Sequence, residues 1–175
     1  MRKITFTQNI SAINITLFYL DQNYSGTVDG FMVVHGDGIG TDEALEIDGP
    51  EGTTYTTGLF TISNGSFINE GNEGSAGDLK SKAQGRIQNC TFEGYTSGLK
   101  IRASFADTTS CTGKSDAYAY LMNAAPTLVI TNNQFQTSGS LADYVSVYTG
   151  SCTSCGCVDA AIQSAADGVI SAGGN

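Results

Sequence analysis

The chain has no Trp, one His, two Pro and only eight Lys and Arg among its 175 residues. So few basic residues exclude an extended nucleic-acid surface, because phosphate binding needs clustered Lys and Arg. The net charge of −9 also disfavours attraction to anionic membrane surfaces. No stretch approaches the ~18 apolar residues of a spanning helix. We therefore expect no nucleic-acid partner and no membrane span.

Two functional features are also missing: a His-based catalytic arrangement and an intact export signal. The single His, His35, gives no basis for a Ser-His-Asp or Cys-His arrangement, and we interpret it as a structural residue. Met1-Arg2-Lys3 resembles the start of an export signal, but polar residues between Thr5 and Ser11 interrupt the apolar segment that such a signal requires. We interpret Met1 as the start of a fragment, not as an intact export signal.

A six-residue phrase with the pattern Ile-x-Asn-x-x-Phe occurs three times, at 62–67, 87–92 and 130–135. Residues 28–33 form a degenerate copy with Gly30 in place of Asn. Many Gly, Asn, Ser and Thr separate short apolar segments, which is typical of short strands joined by tight turns. The repeat predicts an all-β solenoid in a single domain, residues 1–175.

The spacing between copies predicts the length of one coil. The first two copies are 25 residues apart and the next two are 43 apart. Coils of ~20–25 residues explain both spacings if one unmarked coil lies between the second and third copies. Ile and Phe then point inward, and Asn occupies a bend where it tolerates the left-handed conformation. Stacked Asn side chains can also hydrogen-bond from coil to coil.

Three strand segments align into columns. When the three segments are aligned, Leu45, Leu79 and Leu99 form one column that faces inward. Because strand residues alternate between faces, the residues next to them face outward. The outward residues then form two charged columns: Glu46, Lys80 and Lys100 in one, and Asp48, Lys82 and Arg102 in the other. These six side chains are the candidate ligand-binding residues. The alternative is a ladder of salt bridges that holds the coils together.

Residues 158–171 have apolar side chains at helical period, ending before Gly173 and Gly174. We predict a helix that caps the open end of the solenoid, whose coils and loops occupy residues 1–157. The alternative is an amphipathic helix that binds a partner. A second segment, 115–123, is either a short helix that stops before Pro126 or a decorated coil.

Two clusters contain residues that could bind a metal ion or form disulfides. Acidic residues are dense between 37 and 51, and Ca2+ favours such oxygen ligands; the candidate ligands are Asp42, Glu43, Glu46 and Asp48. The spacing matches neither an EF-hand nor the Ca2+-binding nonapeptide repeat, so a solvated acidic surface is the alternative. Apart from Ca2+ we predict no cofactor. The disulfide candidates are Cys111, Cys152, Cys155 and Cys157, with a zinc site or free thiols as alternatives. Cys90 lies inside the repeat, and we predict a buried or unpaired thiol.

The stacked phrases, together with segments 21–30 (DQNYSGTVDG) and 44–52 (ALEIDGPEG), resemble bacterial secreted proteins of the right-handed parallel β-helix, pectate-lyase-like superfamily. The resemblance covers about residues 20–135 and is to poorly characterised extracellular members. It implies a right-handed parallel β-helix; for this chain we predict about seven coils and, from the helical period of residues 158–171, a C-terminal capping helix. It also implies a secreted or cell-surface location and contact with polysaccharide along one exposed sheet. Lyases of this superfamily combine acidic Ca2+ ligands with an Arg or Lys that removes a proton. No complete catalytic motif matches, so no catalytic residue is carried over.

Three functions agree with these observations. The preferred one is a non-enzymatic secreted or cell-surface module with a structural, adhesive or assembly role. The second is a polysaccharide lyase or another carbohydrate-binding domain that uses the charged columns and the acidic residues beside them. The third is a subunit that stacks on copies of itself into a filament.

Overall fold

The computed structural model describes residues 4–8, 18–21, 24–37, 40–49, 59–102, 117–121, 127–136, 145–148 and 174–175. Within these residues the chain forms fourteen strands and one short helix. The elements are β1 (Ile4–Gln8), β2 (Phe18–Leu20), β3 (Gly26–Asp29), β4 (Phe31–His35), β5 (Leu45–Asp48), β6 (Phe60–Ser63), β7 (Ser66–Asn69), β8 (Ser75–Lys80), β9 (Gly85–Gln88), β10 (Thr91–Glu93), β11 (Ser97–Arg102), α1 (Ala117–Leu121), β12 (Leu128–Thr131), β13 (Gln134–Gln136) and β14 (Val145–Tyr148).

The strands form three sheets, and every pair of neighbouring strands is parallel. The first sheet has the order β1-β4-β7-β10-β13, the second β2-β5-β8-β11-β14 and the third β3-β6-β9-β12. The chain visits the three sheets in turn, so each strand pairs with the strand three places further along. This arrangement is a parallel β-solenoid, and the prediction of an all-β solenoid is confirmed. The described residues supply five strands to each of the first two sheets, which corresponds to five coils; the prediction of about seven coils is not confirmed.

The Asn of the repeated phrase lies at the bend between the third sheet and the first. Asn64, Asn89 and Asn132 have φ values of 54°, 55° and 54°, in the left-handed region. Gly30, which replaces Asn in the degenerate copy, has a φ of 66°. Asn and Gly are the residues that adopt this conformation most readily. The Asn89 side chain also donates to Asn64 Oδ1 at 3.3 Å, so a hydrogen bond between stacked Asn side chains is confirmed for this pair.

The Ile and Phe of the phrase form inward columns. Ile62, Ile87 and Ile130 occupy one register position in the third sheet. In the first sheet the Phe92 ring stacks on Phe67 with centroids 4.8 Å apart, and on Phe135 at 5.1 Å. Stacked aromatic pairs contribute about 0.5–1.5 kcal/mol beyond the apolar area that they bury. The repeated phrase is therefore a core motif, and its polar residue serves the bend.

The prediction of an unmarked coil between the second and third copies is wrong. β9 pairs directly with β12 and β10 with β13, so these copies belong to adjacent coils. The additional residues lie in the sequence between β11 and β12, which belong to the second and third sheets. They include α1, whose Ala117 and Leu121 are buried in the core. An insertion at a corner leaves the sheets intact, and spacing alone cannot distinguish it from a further coil. For the segment 115–123, the short-helix alternative is the one observed.

Several predictions fall outside the described residues. They are the capping helix over 158–171 and the four disulfide candidates Cys111, Cys152, Cys155 and Cys157. Cys90 is described, and it is a buried free thiol. Burial raises the pKa of Cys90 to about 11. In the described part of the chain, no helix has the length and apolar character needed to cross a membrane.

Candidate functional site

The outer face of the second sheet carries the charged residues that the sequence placed in columns. The inward residues on β5, β8 and β11 include Ile47, Leu79 and Ile101, which share one register position. Because strand residues alternate, the residues beside them point outward. One outward column contains Glu46, Asp78 and Lys100, and the next contains Asp48, Lys80 and Arg102.

This register corrects the predicted one by two residues on β8. The sequence alignment placed Leu79 with Leu45 and Leu99, whereas Gly77 pairs with Leu99. A Cβ on Gly77 would lie 2.8 Å from both the Leu45 carbonyl oxygen and Leu99 Cδ2, so the packing at this position requires Gly. The strand ends at Lys80, because Ser81 and Lys82 adopt φ values of 51° and 65°.

Two site residues change as a consequence. Lys82 was predicted to lie beside Asp48 and Arg102, but it lies in the turn after β8 and not in the column. Asp78 was not predicted at all, and it lies between Glu46 and Lys100. The sequence signal that could have found Asp78 is Gly77, a glycine inside a strand where neighbouring side chains approach closely. The other five candidates lie together, and with Glu43 and Asp78 they form what we call the charged face: Glu43, Glu46, Asp48, Asp78, Lys80, Lys100 and Arg102.

Asp78 is the centre of one half of the charged face. Arg102 Nε donates to Asp78 Oδ1 at 2.9 Å and to Oδ2 at 3.0 Å, and an Arg102 terminal nitrogen also bonds Oδ2. Lys100 Nζ lies 3.8 Å from Asp78 Oδ2 and donates to Glu43 Oε1 at 2.8 Å. Lys100 on β11 therefore reaches past β8 to the segment just before β5, and these contacts connect three successive coils.

Lys80 is the centre of the other half. Its Nζ forms an ion pair with Glu46 Oε1 and lies 3.7 Å from Asp48 Oδ2. Burial alone would lower the pKa of Lys80, but the hydrogen bond to Glu46 and the charges of Asp48 and Glu46 raise it. The Tyr19 hydroxyl donates to Asp48 Oδ2 at 2.9 Å, and this hydrogen bond raises the pKa of Tyr19 to about 12.

On the charged face the carboxylates are more buried than the cations. The side chains of Asp48 and Asp78 are 3% and 2% exposed, and Glu43 is also buried. The three cations are only partly covered, from 25% exposed for Lys100 to 31% for Lys80. The cations thus lie over buried carboxylates. A buried carboxylate without a partner is strongly unfavourable, so the ion pairs with these cations offset the cost of burying the acids.

The predicted Ca2+ ligands do not converge. Glu43 pairs with Lys100, Glu46 with Lys80, and Asp48 with Tyr19 and Lys80. Asp42 is exposed, and its backbone carbonyl accepts from Ser75 N at 2.8 Å. Among the residues that the structure describes, no three His, Cys, Asp or Glu side chains are grouped so that they could hold a metal ion. Ca2+ binding stays a prediction that rests on composition.

His35 lies on β4 and is buried. Its Nδ1 is 3.1 Å from the Tyr95 hydroxyl, and the two rings are perpendicular with centroids 6.1 Å apart. Burial raises the pKa of Tyr95 above its usual value. Both residues are buried, and His35 lies on the first sheet, whereas the charged face lies on the second.

Comparison of the chain with protein-family models, with curated proteins and with solved structures found no match.

Proposed function

We propose that the protein is a secreted or cell-surface β-helix module with a structural, adhesive or assembly role and without catalytic activity. The observation that carries this proposal is the ion pairing of the charged face. Lys80 and Arg102 each form an ion pair with a carboxylate on the neighbouring coil, and Lys100 forms ion pairs with Asp78 on the neighbouring coil and with Glu43 one coil further.

A lyase requires a cationic or basic side chain that can approach the substrate and remove a proton. On the charged face Asp78 already holds the guanidinium of Arg102, through a bifurcated hydrogen bond from Nε and a second bond from a terminal nitrogen. Lys100 is held by Glu43 and Lys80 by Glu46. A polyanionic substrate would have to displace these carboxylates, of which Asp78 and Glu43 are buried and cannot turn to water. The arrangement supports coil-to-coil bonding better than it supports proton transfer.

We further infer a right-handed solenoid, because connections between parallel strands are right-handed in about 98% of known cases. Right-handedness also fits the resemblance to pectate-lyase-like β-helix proteins, which is the basis for the proposed extracellular location. The capping helix over 158–171 belongs to the same proposal.

The lyase alternative can be tested directly. The protein is incubated with uronate-containing polysaccharides, with and without Ca2+, and unsaturated ends are followed by ultraviolet absorbance. We expect none. Lys100→Ala and Arg102→Ala are assayed beside Arg86→Ala, a control that removes an exposed cation on the third sheet. Unsaturated product that is lost in the first two variants but retained in the control would overturn the non-enzymatic proposal.

The structural, adhesive and assembly roles differ in what the protein binds. Light scattering over a wide concentration range measures self-assembly, and growth of the particle mass with concentration is expected for an assembly role. A strict monomer that binds a polysaccharide array would indicate adhesion instead. In that case Tyr19, which is 51% exposed beside Asp48, is the aromatic to replace first.

A further inference from the structure

The residue after Asn in the repeated phrase has a hydrogen-bonding role of its own. In the third copy this residue is Asn133, which is buried at 2% exposure. Its Nδ2 donates to the Ile87 carbonyl at 3.1 Å, and its Oδ1 accepts from the Cys90 backbone N–H at 3.0 Å. Ile87 and Cys90 are the first and fourth residues of the preceding copy. One carboxamide therefore joins position four of a coil to positions one and four of the coil before it.

Asn175 makes the same contacts one coil further along. Its Nδ2 donates to the Ile130 carbonyl at 2.8 Å, and its Oδ1 accepts from the Asn133 backbone N–H at 3.1 Å. Ile130 and Asn133 are the first and fourth residues of the third copy. Asn175 Oδ1 also accepts from Asn133 Nδ2 at 3.0 Å. The Asn175 side chain thus has the bonding pattern of a position-four Asn in a further coil.

Gly174 supplies a second, independent correspondence. Its φ of 77° is in the left-handed region, like the 66° of Gly30 at position three of the degenerate copy. A Cβ added to Gly174 would lie 2.9 Å from Asn132 Oδ1, so Gly174 packs directly on position three of the third copy. Gly174 and Asn175 together lie on Asn132 and Asn133 as positions three and four of one coil lie on those of the next.

We propose that Gly174 and Asn175 act as a cap: they lie over positions three and four of the third copy and satisfy the backbone groups at this corner of the solenoid. The slot formed by the Ile130 carbonyl and the Asn133 N–H recognises a primary carboxamide, because it offers one acceptor and one donor. A carboxylate could not replace the carboxamide here, because it has no hydrogen to donate to the Ile130 carbonyl. The cap satisfies backbone groups that would otherwise be available to another strand, which is how solenoids and sheets avoid edge-to-edge association. This proposal concerns one corner of the fold and does not depend on the proposed function.

Amide hydrogen exchange of the full chain, followed by NMR, tests the cap. Loss of one neutral hydrogen bond corresponds to about 2- to 10-fold in the opening equilibrium. In Asn175→Ala the backbone amide of Asn133 should therefore exchange about 2- to 10-fold faster than in the wild type. The exchange rate of the Cys90 amide, which is bonded to the Asn133 side chain, should stay unchanged. Gly174→Ala should have the same effect, because Ala is strained at a φ of 77° and its Cβ would lie 2.9 Å from Asn132 Oδ1.

Gln136→Ala is the matched control, because it removes an exposed carboxamide on β13 that is not part of the cap. Circular dichroism verifies that every variant is folded. An Asn133 amide that exchanges at the wild-type rate in both cap variants would overturn the proposal. Equal acceleration in Gln136→Ala would also overturn it, since the effect would then be a general loosening of the edge.

Discussion

The bidentate pair of Asp78 and Arg102 should be the strongest interaction on the charged face. Arg102 Nε lies 2.9 Å and 3.0 Å from the two carboxylate oxygens, and Asp78 is nearly fully buried. Hydrogen bonds to charged groups contribute about 1.5–3 kcal/mol, but the Arg102 side chain is 27% exposed, so solvent weakens the attraction. We therefore expect a coupling free energy of about 1–2 kcal/mol, above the ~0–1 kcal/mol of surface pairs.

The two single substitutions should differ in a predictable direction. Asp78→Asn leaves Arg102 and Lys100 without this carboxylate, but both cations are partly exposed and can be solvated. Arg102→Met leaves a carboxylate that is 2% exposed, with Lys100 Nζ 3.8 Å away as the remaining cation. Because the buried charge cannot reach water, we expect Arg102→Met to destabilise the fold by about 2–3 kcal/mol and Asp78→Asn by about 1–2 kcal/mol.

A double-mutant cycle in urea measures both quantities. The wild type, the two single variants and the double variant give the coupling free energy directly. The control cycle uses Glu46 and Lys80, which are more exposed, and should give less than about 1 kcal/mol. Raising the salt concentration to 1 M should reduce the control coupling by the larger fraction. The reasoning is refuted if the Asp78–Arg102 coupling is the smaller one, or if Arg102→Met is the milder substitution.

Three further predictions follow from single residues. Burial raises the pKa of Cys90 to about 11, so native wild type and Cys90→Ala should titrate the same number of thiols with Ellman's reagent at pH 8, and differ by one only after unfolding in urea; a native difference would contradict this. Asp48 raises the pKa of Tyr19 to about 12, and in Asp48→Asn this pKa, followed by ¹³C NMR of the ring, should fall toward 10. The hydrogen bond stabilises the fold below the ordinary pKa of tyrosine, and this stabilisation is lost as the pH rises through about 12. An unchanged pKa in the variant would disprove the contact. Asn89→Gly should be more stable in urea than Asn89→Ala by about 1 kcal/mol, because both variants lose the side-chain hydrogen bond but Gly adopts the left-handed φ of 55° without strain; the reverse order would contradict a left-handed bend at this position.

The bends and the core columns could be predicted because each depends on a local residue property. An Asn that repeats before an apolar position indicates a left-handed bend, since few other residues adopt that conformation without strain. The observed φ values of Asn64, Asn89 and Asn132 confirm this. Ile and Phe at fixed distances from the bend must then recur at equivalent positions of each coil. These predictions hold without any knowledge of what lies between the copies.

The number of coils could not be predicted in the same way. A spacing of 43 residues is compatible with two short coils or with one coil and an insertion. The choice depends on whether the inserted residues pair as strands, and that is a tertiary property. The structure shows one coil with an insertion that contains α1, whose Ala117 and Leu121 are buried in the core. A helix in this insertion adds buried apolar area to the core without disturbing the strand pairing of the three sheets.

The charged face shows why the side chains that face outward were easier to predict than their partners. The alignment of β8 was displaced by two residues, and a displacement of two preserves the alternation of inward and outward side chains. Leu79 therefore remained inward and Lys80 outward, although each was assigned to the neighbouring column. A displacement of one would have turned the charges into the core, and the pattern excludes it. What distinguishes the two remaining registers is Gly77, where Leu45 and Leu99 leave no room for a side chain. That steric fact sets Asp78 between Glu46 and Lys100, within bonding distance of Arg102. The ion pairs of the charged face thus follow from the packing of one glycine.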